Sequence, residues 1–110
     1  MTTVYKVLAQ SNPAANTLTT VYTVPAGNSA VLSTITICNI NNNANATYRL
    51  AVQKAGASLQ ANNYIAYGPT VLINDTVSLT LGITLAATDV LSANVSTANV
   101  SINVFGSEVY

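Results

Sequence analysis

Apolar and polar residues alternate along most of this chain. Tyr48, Leu50 and Val52 interleave with Arg49, Ala51 and Gln53, and Val77, Leu79 and Leu81 with Ser78 and Thr80. Val100, Ile102 and Val104 interleave with Ser101 and Asn103 in the same way. A period of two sends successive side chains to opposite faces of an extended strand, so each run predicts a strand with one buried and one wetted face. Enrichment in Val, Ile, Thr and Tyr points the same way. Turn residues punctuate the pattern at Ser11-Asn12-Pro13, Pro25-Ala26-Gly27-Asn28, Asn41 to Asn45, Ala55-Gly56-Ala57, Gly68-Pro69 and Asn74-Asp75. Together these predict eight strands, over 3–9, 19–24, 30–40, 46–54, 63–67, 75–82, 89–96 and 99–105. Thr97-Ala98 reads as a tight hairpin between the last two, and Ser58 to Asn63 as one helical turn.

Short strands without a credible helix predict an all-β fold. The expected architecture is an antiparallel β-sandwich of about eight strands, immunoglobulin-like or jelly-roll-like. The 110 residues read as one domain, 1–110, with no internal repeat. A folded chain of this mass exposes about 5,800 Å² against about 16,500 Å² unfolded, enough burial for a core without a metal or disulfide staple.

Charge changes the functional picture. Only Lys6, Arg49, Lys54, Asp75, Asp89 and Glu108 are charged, and the net charge is zero. Nucleic-acid binding needs several cations to displace counterions, so no nucleic-acid partner is expected. No apolar run approaches the 18 or so residues of a spanning helix, and no membrane partner is expected. The 14 Asn, 15 Thr and 9 Ser supply the polarity instead. Near-zero charge removes repulsion between identical copies, which suits a chain whose work is association.

The single cysteine, Cys38, cannot pair internally. It falls in the strand-like Leu32 to Cys38 and is expected to be a buried, inert thiol made in a reducing compartment. The opening residues, Met1 to Lys6, enter strand alternation directly, so no export leader is expected. There is no histidine, which removes the commonest general base and the Ser-His and Cys-His nucleophile arrangements. Asp75 and Asp89 sit where turns enter strands and read as backbone-binding turn residues, too few for a calcium site. No enzyme, cofactor or metal is expected.

Candidate contact residues follow from scarcity. Arg49 stands on the wetted face of its strand beside Tyr48, and Arg and Tyr are favoured at interfaces. Arg49 and Lys54 are the natural partners for an acid on a neighbouring copy. Tyr64 and Tyr67 are the only clustered aromatics, but three residues apart they fall on opposite faces of a regular strand. Burial in a core or an interface is therefore expected for them. Four Asn-x-Ser/Thr sequons, at Asn45, Asn74, Asn94 and Asn99, follow from composition.

Several segments carry a resemblance. These are Val21-Tyr22-Thr23-Val24-Pro25-Ala26-Gly27, the run Ala30 to Asn39, Tyr48-Arg49-Leu50-Ala51-Val52, Leu79 to Leu85, and the closing Val104-Phe105-Gly106-Ser107-Glu108. In this order, over nearly the whole chain, they resemble the small virion structural proteins of tailed bacteriophages, especially cyanophages. The Asn-rich Asn41 to Asn45 loop departs from that pattern and reads as an exposed tip. The resemblance implies a non-enzymatic virion component assembled in the host cytoplasm; the leading reading of its place on the particle is a capsid decoration or cement protein. Its implied partners are the major capsid protein or tail components, with a homo-oligomer such as a trimer. Two alternatives stand beside it. One is a tail, neck or fibre domain that grips host glycan through Tyr64 and Tyr67. The other is a subunit of another extracellular filament, joined by strand exchange through residues 1–10.

Overall fold

The computed structural model describes all 110 residues. Nine strands form: β1 (Thr3–Ser11), β2 (Thr19–Thr23), β3 (Ser29–Asn39), β4 (Ala46–Gln53), β5 (Tyr64–Val71), β6 (Thr76–Leu79), β7 (Ile83–Leu85), β8 (Val90–Val95) and β9 (Val100–Val109). Short 3₁₀ turns, Lys54–Gly56 and Ala61–Asn63, lie between β4 and β5. All strand pairs are antiparallel: β1 with β9, β2 with β8, β3 with β6 and β7, β4 with β5, then β9 with β3 and β8 with β4. The chain is thus one long hairpin, closed by the β4–β5 connection, whose paired arms are wound into two sheets. The first has the order β1-β9-β3-β6, with β7 also on β3, and the second the order β2-β8-β4-β5.

The alternation seen along the chain builds the core between these sheets. Leu32, Ile35 and Ile37 of β3 and Val100, Ile102 and Val104 of β9 face Leu50 of β4 and Leu91, Ala93 and Val95 of β8. The exposed area is 5646 Å², close to the scaling value for a folded chain of this size.

Four expectations fail, each for a local reason. The segment expected as one strand over 75–82 gives β6, and β7 follows it after Gly82, where φ is +62°. β6 pairs with Ile35 to Cys38 and β7 with Ala30 to Leu32. The gap between them falls where β3 shifts register between Leu32 and Thr34. Gly68-Pro69 does not end β5, because β5 is an edge strand and the missing proline N–H leaves no ladder bond unmade. Thr97-Ala98 is no hairpin: it carries the chain from β8 in one sheet to β9 in the other. Asn12 holds that crossing, its side-chain amide donating to Ala98 O at 2.8 Å and Val100 O at 2.7 Å. Finally, Cys38 is half-buried. Ile37 and Asn39 take the inward positions, so Cys38 faces out beside Thr76 and Ser101.

Two bulges bend the first sheet at one level. β1 shifts register between Val7 and Ala9, and β3 between Leu32 and Thr34, both opposite Phe105. The Ser33 hydroxyl, at the β3 bulge, donates to Phe105 O at 3.1 Å. At the next residue, Gly106, an added Cβ would lie 1.9 Å from Val31 O. Only glycine lets the backbones approach this closely.

Candidate functional site

The outer faces of the two sheets differ. On the second sheet, one end is covered. Ala51 and Ser92 point outward yet are buried, because the segment between β4 and β5 folds back over β4 and β8. Asp89 anchors it, accepting from Ala55 N at 2.8 Å and from Ala86 N at 2.9 Å. Gln53 adds a side-chain bond to Ala57 O at 3.0 Å and another to the Ser92 hydroxyl. Asp75 likewise binds backbone, accepting from Thr76 N at 2.8 Å.

The other end of that face is open. Thr47 and Arg49 of β4 stand beside Asn94 of β8 and Ser96 just after it. With Asn16 they line an open cavity of about 240 Å³ that has no apolar wall residue. Asn16 is fixed in place: its backbone, at φ +53°, donates to Val95 O at 2.7 Å, and Ala15 bridges to Val95. The Ser96 hydroxyl accepts from Thr47 N at 2.9 Å. No carboxylate lines the cavity.

Tyr67 lies directly across from Arg49 on β5. The guanidinium carbon sits 4.1 Å from the Tyr67 ring centroid, a cation–π contact. Tyr64 meets Tyr67 edge-on, with centroids 4.8 Å apart and planes at 87°. The two tyrosines share a face, contrary to the regular-strand expectation. Leu50 pairs with Ala66 and Ala51 with Tyr64, so Ile65 is an extra residue that reverses the alternation. Tyr67 is still 62% exposed.

The other candidates part company with this cluster. Tyr48 is a core residue, and burial raises its phenol pKa. It therefore drops out of the contact set. Lys54 is exposed in the turn after β4. The chain's single ion pair is Lys6 with Glu108, so Arg49 and Lys54 carry uncompensated charge.

Sequence reasoning missed three groups. The first is the cavity lining of Asn16, Thr47, Asn94 and Ser96. The spacing of Thr47 with Arg49, and of Asn94 with Ser96, places each pair on one strand face. That was the available signal. The second is polar and interior. The Tyr22 hydroxyl donates to Glu108 Oε2 at 2.5 Å across the sandwich, and Lys6 Nζ lies 2.8 Å from Glu108 Oε1. Bonds from Lys6 and then Tyr22 hold the Glu108 carboxyl below the usual range. Burial first, and the Glu108 contact second, push the Tyr22 phenol well above its own. The third is Asn39, fully buried, whose amide donates to Ala44 O and Val71 O while its oxygen accepts from Asn41 N. It fastens the Asn-rich loop.

On the first sheet one end of the outer face carries an apolar patch, while at the other end Ser101 and Asn103 line a wholly polar cavity with Gln10, Ser11 and Asn12. Tyr5, Val7, Val31 and Phe105 border a shallow depression of about 590 Å³, which Lys6, Ser33, Gly106 and Ser107 also line. Tyr5 is 83% exposed, and Val7 and Val31 are exposed too. The depression adjoins the free side of β1, the nine-residue edge strand of its sheet.

No protein-family model matches this chain, and no curated relative is found. Two crystal structures of a pentameric capsid protein isolated from metagenomic phage sequences align with 96% of the chain. They do so at 20% identity with a TM-score of 0.36, and at 18% with 0.28. The chain spans 58% and 60% of the length of those proteins.

Proposed function

We propose that this chain is a non-enzymatic structural domain of a phage particle, one that decorates or cements the head in many copies. The observation that carries this reading is the apolar patch on the outer face of the first sheet, from Tyr5 and Val7 across Phe105 to Val31. A contiguous exposed apolar patch favours contact with another protein surface, and a neutral chain adds no repulsion against its copies. A long edge strand beside the patch extends the offer through unpaired backbone groups. The wound-ribbon strand order supports the jelly-roll alternative over the immunoglobulin-like one, and viral capsid domains use jelly rolls. On this reading the contact between copies uses the first sheet. Lys54 stays as a candidate for an acid on the major capsid protein or a tail component.

Size-exclusion chromatography with light scattering tests this. The wild type is expected to form a discrete oligomer, a trimer being one such form. Tyr5→Arg with Val7→Glu is expected to yield a folded monomer. A wild type that stays monomeric and fails to bind isolated phage heads would sink the proposal.

A second reading, a tail- or fibre-associated domain that grips host glycan, is favoured by the polar cavity beside Arg49, Tyr67 and Tyr64.

A further inference from the structure

The open end of the second sheet has a composition that the assembly reading leaves unused. Its cavity offers two carboxamides, from Asn16 and Asn94, and two hydroxyls, from Thr47 and Ser96. Neither carboxamide is engaged by a protein partner. Amides and hydroxyls both donate and accept, which matches the hydroxyl groups of a sugar. Arg49 shares this cavity and faces no acid in it, while its guanidinium lies against Tyr67. A guanidinium without an internal counterion is built for a carboxylate, which it grips through two parallel bonds. Tyr67 lies against the guanidinium and remains largely exposed. The walls are preformed, since Asn16 is held to β8 by backbone bonds and Thr47 to Ser96.

From these features we infer that the cavity binds a saccharide carrying a carboxylate, of the uronic or sialic acid type. The carboxylate pairs with Arg49, and the ring hydroxyls meet Asn16, Asn94, Thr47 and Ser96. The inference rests on the glycan-recognition reading of this face and does not depend on assembly through the other sheet. A cavity of about 240 Å³ has room for one sugar ring, so each site binds weakly. Many copies on one particle would raise the avidity without new contacts.

The test is an amide NMR titration of the full chain with three probes: methyl glucuronide, methyl glucoside and acetate. The expected result is saturable shifts of the Arg49 Nε–H and the Asn16 and Asn94 side-chain amides with the glucuronide. Binding should be at least about tenfold tighter than for the glucoside, the worth of one charge-assisted bidentate pair. Arg49→Gln should remove that preference while leaving the rest of the spectrum in place, as expected of an exposed position. Equal binding of glucuronide and glucoside would overturn the acidic-sugar inference and keep the glycan reading. An acetate response as strong as the glucuronide response would reduce the site to a carboxylate contact and overturn both. So would the absence of shifts with either sugar up to about 20 mM, a range that captures millimolar binding.

Discussion

Replacing Gly106 with alanine tests how the first sheet is held together. The new Cβ would sit 1.9 Å from Val31 O, and 3.0 Å and 3.1 Å from Val31 C and Leu32 Cα. All three atoms are backbone, so no side chain can swing aside. Relief requires β9 and β3 to separate by about an ångström where the bulges at Val7/Ala9 and Leu32/Thr34 already bend the sheet. β9 is bonded on both sides, to β1 and to β3, and that movement breaks ladder bonds. Two lost backbone bonds at about 1 kcal/mol each, with overpacking of about 1–2 kcal/mol, give a loss of about 3–4 kcal/mol. For a domain of this size that lowers the Tm by about 10–30 °C. Urea unfolding followed by circular dichroism measures the loss, and amide exchange locates it in β9 and the facing half of β3. Gly82→Ala is the comparison. No atom lies within 4 Å of its new Cβ. It therefore carries only left-handed strain, about 1–2 kcal/mol, with β9 protection intact. A Gly106→Ala loss below about 1 kcal/mol, or unchanged exchange in β9, would refute the close-approach argument.

Four other outcomes follow from buried polar groups. Glu108 titrates below its unfolded value of about 4.3, so its contribution is complete above about pH 5 and fades as pH falls through the folded value. Urea midpoints at neutral and acid pH should therefore diverge less in Glu108→Gln than in wild type, and equal divergence contradicts the assignment. Tyr22 is raised instead, so its contribution is complete below about pH 10 and fades as pH rises from there through the higher folded value, and Tyr22→Phe should blunt that alkaline loss. Asp89→Ala strips two backbone amides of their acceptor and should cost about 2–3 kcal/mol, with Asp89→Asn costing less because one oxygen remains. Thermal melts of the pair check the order. Asn39→Ala leaves Ala44 O and Val71 O without their donor and should cost about 2–3 kcal/mol. Exchange at Asn41 and Asn43 should accelerate, and an unchanged loop would show that Asn39 does not fasten it.

Strand positions and the buried face were legible because alternation is a local property of strand geometry. Tyr48, Leu50, Val100, Ile102 and Val104 all lie in the core where the pattern put them. The lack of histidine and the scarcity of charge likewise needed no coordinates. Which strand pairs with which was not legible. Thr97-Ala98 has the composition of a hairpin, and only the competition between the two sheets for β8 and β9 makes it a crossing. A bulge is a property of two strands together, so the extra Ile65 that turns Tyr64 onto the face of Tyr67 leaves no mark on β5 alone. The Lys6–Glu108–Tyr22 group and the cavity around Arg49 join residues from opposite ends of the chain. Their proximity is set by the winding of the long hairpin, and spacing along the sequence marks only which residues of one strand share a face. The chain alone determined an all-β, nearly uncharged domain without the usual catalytic groups. The tertiary structure decided that one outer face gathers an apolar patch at one end and the other a polar cleft, because it chose which exposed residues became neighbours.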